Sequence, residues 1–485
     1  MTPDERIAEL EAENAALRAQ VSELPGLREQ VQVLAAQVRD LQARLAKDSH
    51  NSSKPPSSDG LTRKPRRTKS LRTPSGKKPG GQLGHRGATL RLVASPDTVA
   101  EHRPAVCAGC QAPLEAAAAV VGRERRQVQD LPPVRLVVTE HQALQLRCPR
   151  CQVVTTGAFP PEAPSRAQYG PRLRALAVYL VQAQFVPLGR VQQLVADLTG
   201  VQLGRGTLVT WTQQAARTLE PVEERVKAAL QREPVLHCDE TGVRRGGKLA
   251  WAHVASTDRL THYAIHAQRG TAATDAIGIL PDFRGVSVHD GFASYRTYTA
   301  CRHALCNVHH LRDLTFLEEE YQQAWAKELK ALLREMRVAA DQARGQGCAQ
   351  VPPAQYDSLC ARYRDLLASG LAANPPPAAS RRPGQRGRLA QSPARNLLER
   401  LLLDQDAVLA FLDDLAIPFD NNQAERDLRG LKVQQKVSNC FRSDAGAAAF
   451  ARIRGYLATL RKQGQALLAA LETVVAGRPL YPAFA

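Results

Sequence analysis

Residues 234–242 read PVLHCDETG and residues 286–291 read VSVHDG. Each is a short apolar run that reaches an aspartate, Asp239 or Asp290, with a turn residue within two or three positions, Thr241-Gly242 or Gly291. With the strand-like runs 249–256 and 260–267 between them, they predict a sheet whose strand ends hold two carboxylates rigidly together. Far along the chain, DNNQAER (420–426) opens a helix. Asp420 is a suitable N-cap there, and Ala424, Leu428 and Leu431 recur on one face. Glu425 lies beside that face and can point toward the sheet.

Three converging carboxylates repel one another unless cations intervene, and two hard ions such as Mg2+ prefer oxygen ligands. Metals about 4 Å apart activate a water or a 3′-hydroxyl and stabilise the leaving oxygen of a phosphodiester. Spacing alone leaves a plainer reading open, in which the aspartates are turn caps and Glu425 pairs with Arg429 at i,i+4. Glu240 follows Asp239 and projects to the opposite side of a strand, as a supporting or exposed residue. His237 and His289 flank the aspartates as neighbours that shape the site, since a hard ion takes oxygen in preference to imidazole. Asp420, the nearest rival to Glu425, is accounted for as a cap.

Charge points to the same chemistry. The chain has 485 residues, room for several packed cores, and 65 Lys plus Arg against 47 Asp plus Glu, a net of +18 that suits a polyanion. Residues 1–60 carry −3, residues 61–175 carry +13 and residues 176–485 carry +8. No apolar run is long enough to span a membrane, and no signal peptide is legible at the N-terminus. The expected compartment is the cytoplasm, with reduced thiols.

The N-terminal heptads Ile7, Leu10, Asn14, Leu17, Val21, Leu24 and then Leu27, Val31, Leu34, Val38, Leu41, Leu45 predict a coiled coil over 1–47 and a homo-oligomer. Pro25-Gly26 falls at a stammer and is expected to split it into two pieces. Residues 48–95 form a Pro/Ser/Gly-rich basic arm in which Arg63, Lys64, Arg66, Arg67, Lys69, Lys77 and Lys78 can follow phosphates. Residues 96–165 hold Cys107-Ala-Gly-Cys110 and Cys148-Pro-Arg-Cys151, two pairs of thiolates for one structural Zn2+. The alternating stretch 125–146 between them predicts the strands of a zinc ribbon. Residues 166–230 are helical: Val191, Leu194, Val195 and Leu198 share a face, Gly200 stops that helix, and Thr207, Leu208, Trp211 and Ala215 mark the next. As a helix-turn-helix, this pair would turn Arg205, Thr210, Gln213 and Gln214 toward a DNA groove, whereas plain packing is the equal alternative. A second basic run, Arg381, Arg382, Arg386, Arg388 and Arg395, is a DNA contact or a solvated loop.

The strings HCDETGVR (237–244), HDGFASYR (289–296), CNVHHLRDL (306–314) and IPFDNNQAERDLRGLKVQQKVSNCFRSDAGA (417–447), with NSSKPPSSDG and KPGGQLGHRG in the arm, closely resemble the insertion sequence 66 family of bacterial transposases. The resemblance covers nearly the whole chain. It implies a multidomain α+β protein with a ribonuclease-H-like core, residues 231–317 and 401–472, interrupted by a helical insertion over 318–400 and followed by a tail, 473–485. It further implies a DDE transposase in which Asp239, Asp290 and Glu425 bind two Mg2+, or Mn2+ in their place, for cleavage at element ends and strand transfer into target double-stranded DNA. Small element-encoded accessory proteins and a bacterial, nucleoid-associated setting are implied too. Cys306 and His309 match a C-x2-H pattern of such transposases and are read as core support, with zinc binding the lesser alternative. Two rival functions stand beside this one: an inactive zinc-dependent DNA-binding regulator, and a non-transposing ribonuclease-H-like nuclease.

Overall fold

The computed structural model of the chain describes residues 3–48, 51–52, 84, 90–116, 118–376 and 391–484. The basic-arm residues Arg63, Lys64, Arg66, Arg67, Lys69, Lys77 and Lys78, and Arg381, Arg382, Arg386 and Arg388, lie outside the described residues. Two compact units are distinguished: Met1–Arg67 with Pro160–Val195 and Gln202–Ala485, and Thr68–Phe159 with Ala196–Val201.

The smaller unit contains two like turns. Gln111 N–H donates to the Cys107 carbonyl and Cys107 N–H to the Ala112 carbonyl; Gln152 N–H donates to Cys148 and Cys148 N–H to Val153, all at 2.9 Å. Gln111 and Gln152 both take the left-handed conformation, φ 57° and 62°. Strands β1 (Gln145–Arg147) and β2 (Val154–Thr156) pair antiparallel across the second turn. The strands expected over 125–146 reduce to β1. Upstream of it no ladder partner exists among the described residues, and the backbone of 91–93 is met by side chains instead: Gln127 takes the Val93 N–H at 2.7 Å and donates to its carbonyl at 2.8 Å. Without a second strand, alternation has no sheet face to bury, and Val121, Val128, Val137 and Val138 are exposed.

In the larger unit, α1 runs as one helix, Pro3–Ala46, through Pro25-Gly26. The expected split into two pieces is therefore corrected. Proline removes one backbone donor, and the remaining i to i−4 bonds on either side carry the helix across it. Helices α2 (Pro171–Gln182), α3 (Leu188–Thr199, whose residues from Ala196 on belong to the smaller unit), α4 (Arg205–Thr218) and α5 (Glu220–Leu230) follow. Val191 and Val195 are buried as expected, but Leu194 and Leu198 are exposed. Gly200, at φ 74°, ends α3.

The sheet has the order β5-β4-β3-β6-β7, from β3 (Val235–Arg245), β4 (Lys248–Ser256), β5 (Thr261–His266), β6 (Val286–His289) and β7 (Arg302–Leu305). The first three strands are an antiparallel meander, and β6 and β7 add in parallel, with α6 (Thr271–Ile277) in the crossover. Gly246-Gly247, φ 55° and 78°, makes the β3–β4 turn, where two left-handed residues match the strand twist. Asp239 is thus in the middle of β3 and not at its end, because β3 continues through Thr241-Gly242 to Arg245 on hydrogen bonds to β4.

Gly285 stands where β3, β6 and β7 meet: an added Cβ would lie 2.5 Å from the Pro234 carbonyl oxygen and 2.6 Å from that of Glu233. These are backbone atoms of the segment that leads into β3, where the Pro234 carbonyl already accepts the Val286 N–H at 2.8 Å, and they cannot swing away. Gly285→Ala is expected to cost about 1–3 kcal/mol, the range of overpacked positions, or more, measured as a lowered urea midpoint with unchanged slope.

Helices α7 (Asn307–Tyr321), α8 (Ala324–Gly345), α9 (Pro353–Ala373), α10 (Pro393–Leu403) and α11 (Gln405–Asp413) form a largely helical core behind β6 and β7. Leu329, Leu332, Leu333, Met336, Leu359 and Tyr363 lie in it, and Tyr356 packs against it, partly buried. Arg395 binds Glu399 and the carbonyls of Leu371 and Asn374, a structural use of a residue considered for DNA contact. The chain then returns with α12 (Asn422–Ser438), α13 (Asp444–Lys462) and α14 (Leu467–Val475). Ala424, Leu428 and Leu431 of α12 pack with Val243, Ala252 and Val254 of the sheet. Among the described residues, no helix is long and apolar enough to cross a membrane.

Candidate active site

The site follows from unequal strand lengths. β6 pairs with β3 only through Val235, Leu236 and His237 and stops at His289, whereas β3 runs on. Beyond His237 no strand of the sheet pairs with that edge of β3, whose Cys238, Gly242 and Arg244 carbonyls are met instead by Asn421, Lys432 and Phe441, and Asp239 and Asp290 emerge there from neighbouring parallel strands. One carboxylate oxygen of each is held by a backbone donor: Glu240 N–H to Asp239 at 2.8 Å and Phe292 N–H to Asp290 at 2.9 Å. Glu425, in the first turn of α12, lies near enough for its charge to act on Asp239, but the carboxylate oxygens of Asp239, Asp290 and Glu425 do not all stand within 4.8 Å of one another. Burial pushes the Asp239 carboxyl well above its usual range, and the negative charges of Glu240, Asp290 and Glu425 push it the same way. The negative charges around Asp239 outnumber the one cation that acts on it, Lys432, and oxygen donors short of a cation fit a hard divalent ion.

Glu240 is buried, which removes the exposed alternative. It is ion-paired with Arg269 at 2.7 Å and accepts the Tyr295 hydroxyl. Arg269 also lies 3.9 Å from the Phe292 ring centroid. His289 is turned away from the carboxylates: its Nδ1 accepts the Gly291 N–H at 3.0 Å, its Nε2 lies 3.1 Å from His303 Nδ1, and burial depresses its pKa to about 3. It is a neutral brace for the turn after Asp290.

Asp420 is not the helix N-cap. α12 starts at Asn422 with Asn421 in the cap position, and the Asp420 carboxylate accepts the Asn422 N–H at 3.0 Å from one residue earlier. Asn421, 1% exposed, spends its side chain across the fold. Its Nδ2 donates to the Cys238 carbonyl at 2.8 Å, its Oδ1 lies 2.8 Å from His237 Nδ1, and its backbone N–H donates to Cys306 Sγ at 3.2 Å. It ties the start of the Glu425 helix to the strand carrying Asp239. Asn421→Ala would orphan the Cys238 carbonyl and the His237 ring nitrogen, at about 1–3 kcal/mol for each group left unpaired. A melting temperature equal to the wild type would remove this role.

Sequence reading missed Asn421, which looked like one polar residue among several at a helix start. It also missed Lys432, whose Nζ donates to the Gly242 carbonyl at 3.3 Å and whose positive charge acts on Asp239, while burial lowers its pKa. Its spacing of seven from Glu425, two helical turns, was the available signal. Glu425 has no Arg429 partner; His309 Nε2 is 4.0 Å from its Oε1.

In the helical domain, Arg205 donates to Gln192 at 3.1 Å and Gln214 accepts from Arg174 at 3.0 Å. Arg205 and Thr210 are exposed and Gln213 is half-buried. In the smaller unit, the backbone N–H groups of Cys110 and Gly109 hold the Cys107 thiol below its ordinary pKa, and those of Cys151 and Arg150 do so for Cys148. Donors aimed at sulfur favour thiolate and fit zinc. The four sulfurs nevertheless stand as two pairs. Among the described residues, the group of three or more metal-capable side chains with ligand atoms within 4.8 Å of one another is Cys306, His309 and Glu425.

A mixed sheet with clustered carboxylates on a DNA-scale basic chain is the setting in which the sequence comparisons fall. Residues 166–449 match the transposase IS66 family, and the chain belongs to that family. Residues 104–152 match the zinc-finger binding domain of transposase IS66, and residues 2–91 match a family of unknown function (DUF6444). An uncharacterised protein of Sinorhizobium fredii, y4jD, is 26% identical over 414 residues, covering 79% of this chain and 77% of that protein.

Proposed function

We propose that this transposase cleaves DNA at insertion-sequence ends and transfers the freed 3′ strands into target DNA, with Asp239, Asp290 and Glu425 as the acidic triad of a ribonuclease-H-like core. The observation that supports this best is the placement of Asp239 and Asp290 on adjacent parallel strands where β6 stops, with the charges of Asp290 and Glu425 both raising the Asp239 pKa. The antiparallel meander followed by two parallel strands, with Glu425 arriving on a later helix after a helical insertion, supports the core assignment. Two Mg2+ held by the triad would supply an activated oxygen nucleophile and charge neutralisation at the scissile phosphate. The protein's own part is positioning. The Glu240–Arg269–Tyr295 group braces β3 from behind, the Glu240 and Phe292 amides orient the two aspartates, and Asn421 sets the helix bearing Glu425.

The basic arm and the zinc finger are proposed to bind element-end DNA, with α3 and α4 as a helix-turn-helix offering Arg205 and Gln213. Homo-oligomerisation through α1 is proposed as well. The C-terminal part of α1 is docked by one side: Tyr321 donates to Asp40 at 2.8 Å, Ala43 is in the core, and Lys47 lies over Phe316. At 3.6 residues per turn, Leu27, Val31, Leu34, Val38, Leu41 and Leu45 fall on the opposite side, and they are 51–77% exposed. Among the described residues this part of the heptad stripe is thus left uncovered, which supports a coiled coil between copies.

The test is an assay with a labelled element-end duplex and Mg2+. Nicking followed by joining supports the transposase; nicking without joining assigns a nuclease, and binding without nicking assigns a regulator.

A further inference from the structure

We propose that Cys306, His309 and Glu425 form a second metal site, for one zinc-class divalent ion, distinct in donor chemistry from the all-oxygen triad. Cys306 is the last residue before α7, and His309 is one turn into that helix, so the C-x2-H spacing puts both side chains on one side of the helix start. Two ligands from one turn are a weak signal. The tertiary structure adds the third: α12 brings the Glu425 carboxylate so that sulfur, imidazole nitrogen and carboxylate oxygen lie within 4.8 Å of one another.

The histidine supplies an independent observation. His309 Nδ1 is fully buried with no hydrogen-bond partner among the described residues, and Nε2 stands 4.0 Å from Glu425 Oε1, too far for a hydrogen bond. Nδ1, buried and unsatisfied, carries a desolvation penalty that an ion ligated there would remove. Cys306 is prepared on its other side, since the Asn421 N–H donates to its sulfur at 3.2 Å and stabilises thiolate when a metal displaces the proton.

One thiolate, one neutral imidazole and one carboxylate balance a divalent charge and match the three-ligand zinc site that keeps a fourth position for water. Soft sulfur excludes Mg2+ as the preferred occupant. Glu425 is shared with the proposed triad, so zinc here and Mg2+ there would compete for one carboxylate.

The experiment is Co2+ titration of the full-length chain in excess Mg2+, reading the thiolate-to-cobalt charge-transfer band, which oxygen-only sites do not give. The expected result is a cobalt equivalent beyond that taken by the Cys107, Cys110, Cys148 and Cys151 set. It should be lost in Cys306→Ser and in His309→Gln, weakened in Glu425→Gln and kept in Asp239→Asn. Glu425 is partly exposed, so Glu425→Gln guards against a folding failure of the other two. A Cys306→Ser protein with the wild-type stoichiometry and band intensity overturns the proposal, as does an unchanged titration in Glu425→Gln. The inference rests on the position of Glu425 and not on its part in cleavage. A negative cobalt result leaves the triad standing, and full cleavage by Glu425→Gln removes the triad without altering the cobalt test.

Discussion

Asp239→Asn, Asp290→Asn and Glu425→Gln are each expected to lose end cleavage by about a thousandfold or more, with binding to element-end DNA retained. A metal ion contributes several kcal/mol of charge stabilisation to phosphoryl transfer, and each 1.4 kcal/mol is about tenfold in rate. The amides keep the shape and the backbone-donor contacts of the two aspartates but give up the negative charge. Asp239→Asn has a second consequence. Its carboxyl is raised above its unfolded value by burial and by Glu240, Asp290 and Glu425. In the metal-free protein the protonated form is favoured on folding, so this residue's contribution is present below the ordinary carboxylate range and is lost as pH rises toward the raised value. Asp239→Asn should therefore flatten the fall of metal-free stability above that range, measured by thermal melts in chelator at several pH values. Wild-type cleavage in any one of the three variants would remove that residue from the triad.

Zinc removal should have the other large effect. Chelation, or Cys107→Ser or Cys148→Ser, is expected to unfold residues 104–152, because little else holds them. β1 and β2 are three residues each, and the apolar residues between the two turns, Val121, Val128, Val137 and Val138, are exposed, so no hydrophobic core of their own exists among the described residues. Apparent zinc-binding energies in such small domains are about 10–16 kcal/mol, enough to decide folding outright. Zinc needs thiolates, and the depressed Cys107 and Cys148 pKa values make that possible with less proton competition. Limited proteolysis should cut this segment in the chelated protein while the sheet-bearing unit stays resistant. Equal resistance of residues 104–152 with and without zinc would contradict the expectation.

Element type was legible wherever a local rule had no competitor. The stop at Gly200 and the buried face Ala424, Leu428 and Leu431 follow from local residue type and spacing, and the structure has them. Local rules failed where a partner elsewhere decided the outcome. Thr241-Gly242 looked like the end of a strand, but β4 supplies hydrogen bonds through Arg245. Pro25-Gly26 looked like a break, but one missing donor does not end a long helix. The alternation over 125–146 looked like strands, but no neighbouring strand pairs with most of it. Asp420 looked like a cap, but the helix begins one residue later, with Asn421 drawn away to Cys238 and His237.

For the site, the sequence by itself determined the chemical inventory: three acids in strings that resemble one family, four cysteines in two pairs, and the charge that suits DNA. Family membership then rests on matches over most of the chain. Only the tertiary structure decided which groups meet, because Asp290 and Glu425 are separated by the whole helical insertion and spacing carries no information across it. The stop of β6 at His289 opens the edge where the acids gather, burial makes Glu240 an ion-paired brace, and the return of α12 sets Glu425 beside Cys306 and His309. Each is a long-range contact, fixed by packing and pairing between segments that local sequence rules treat separately.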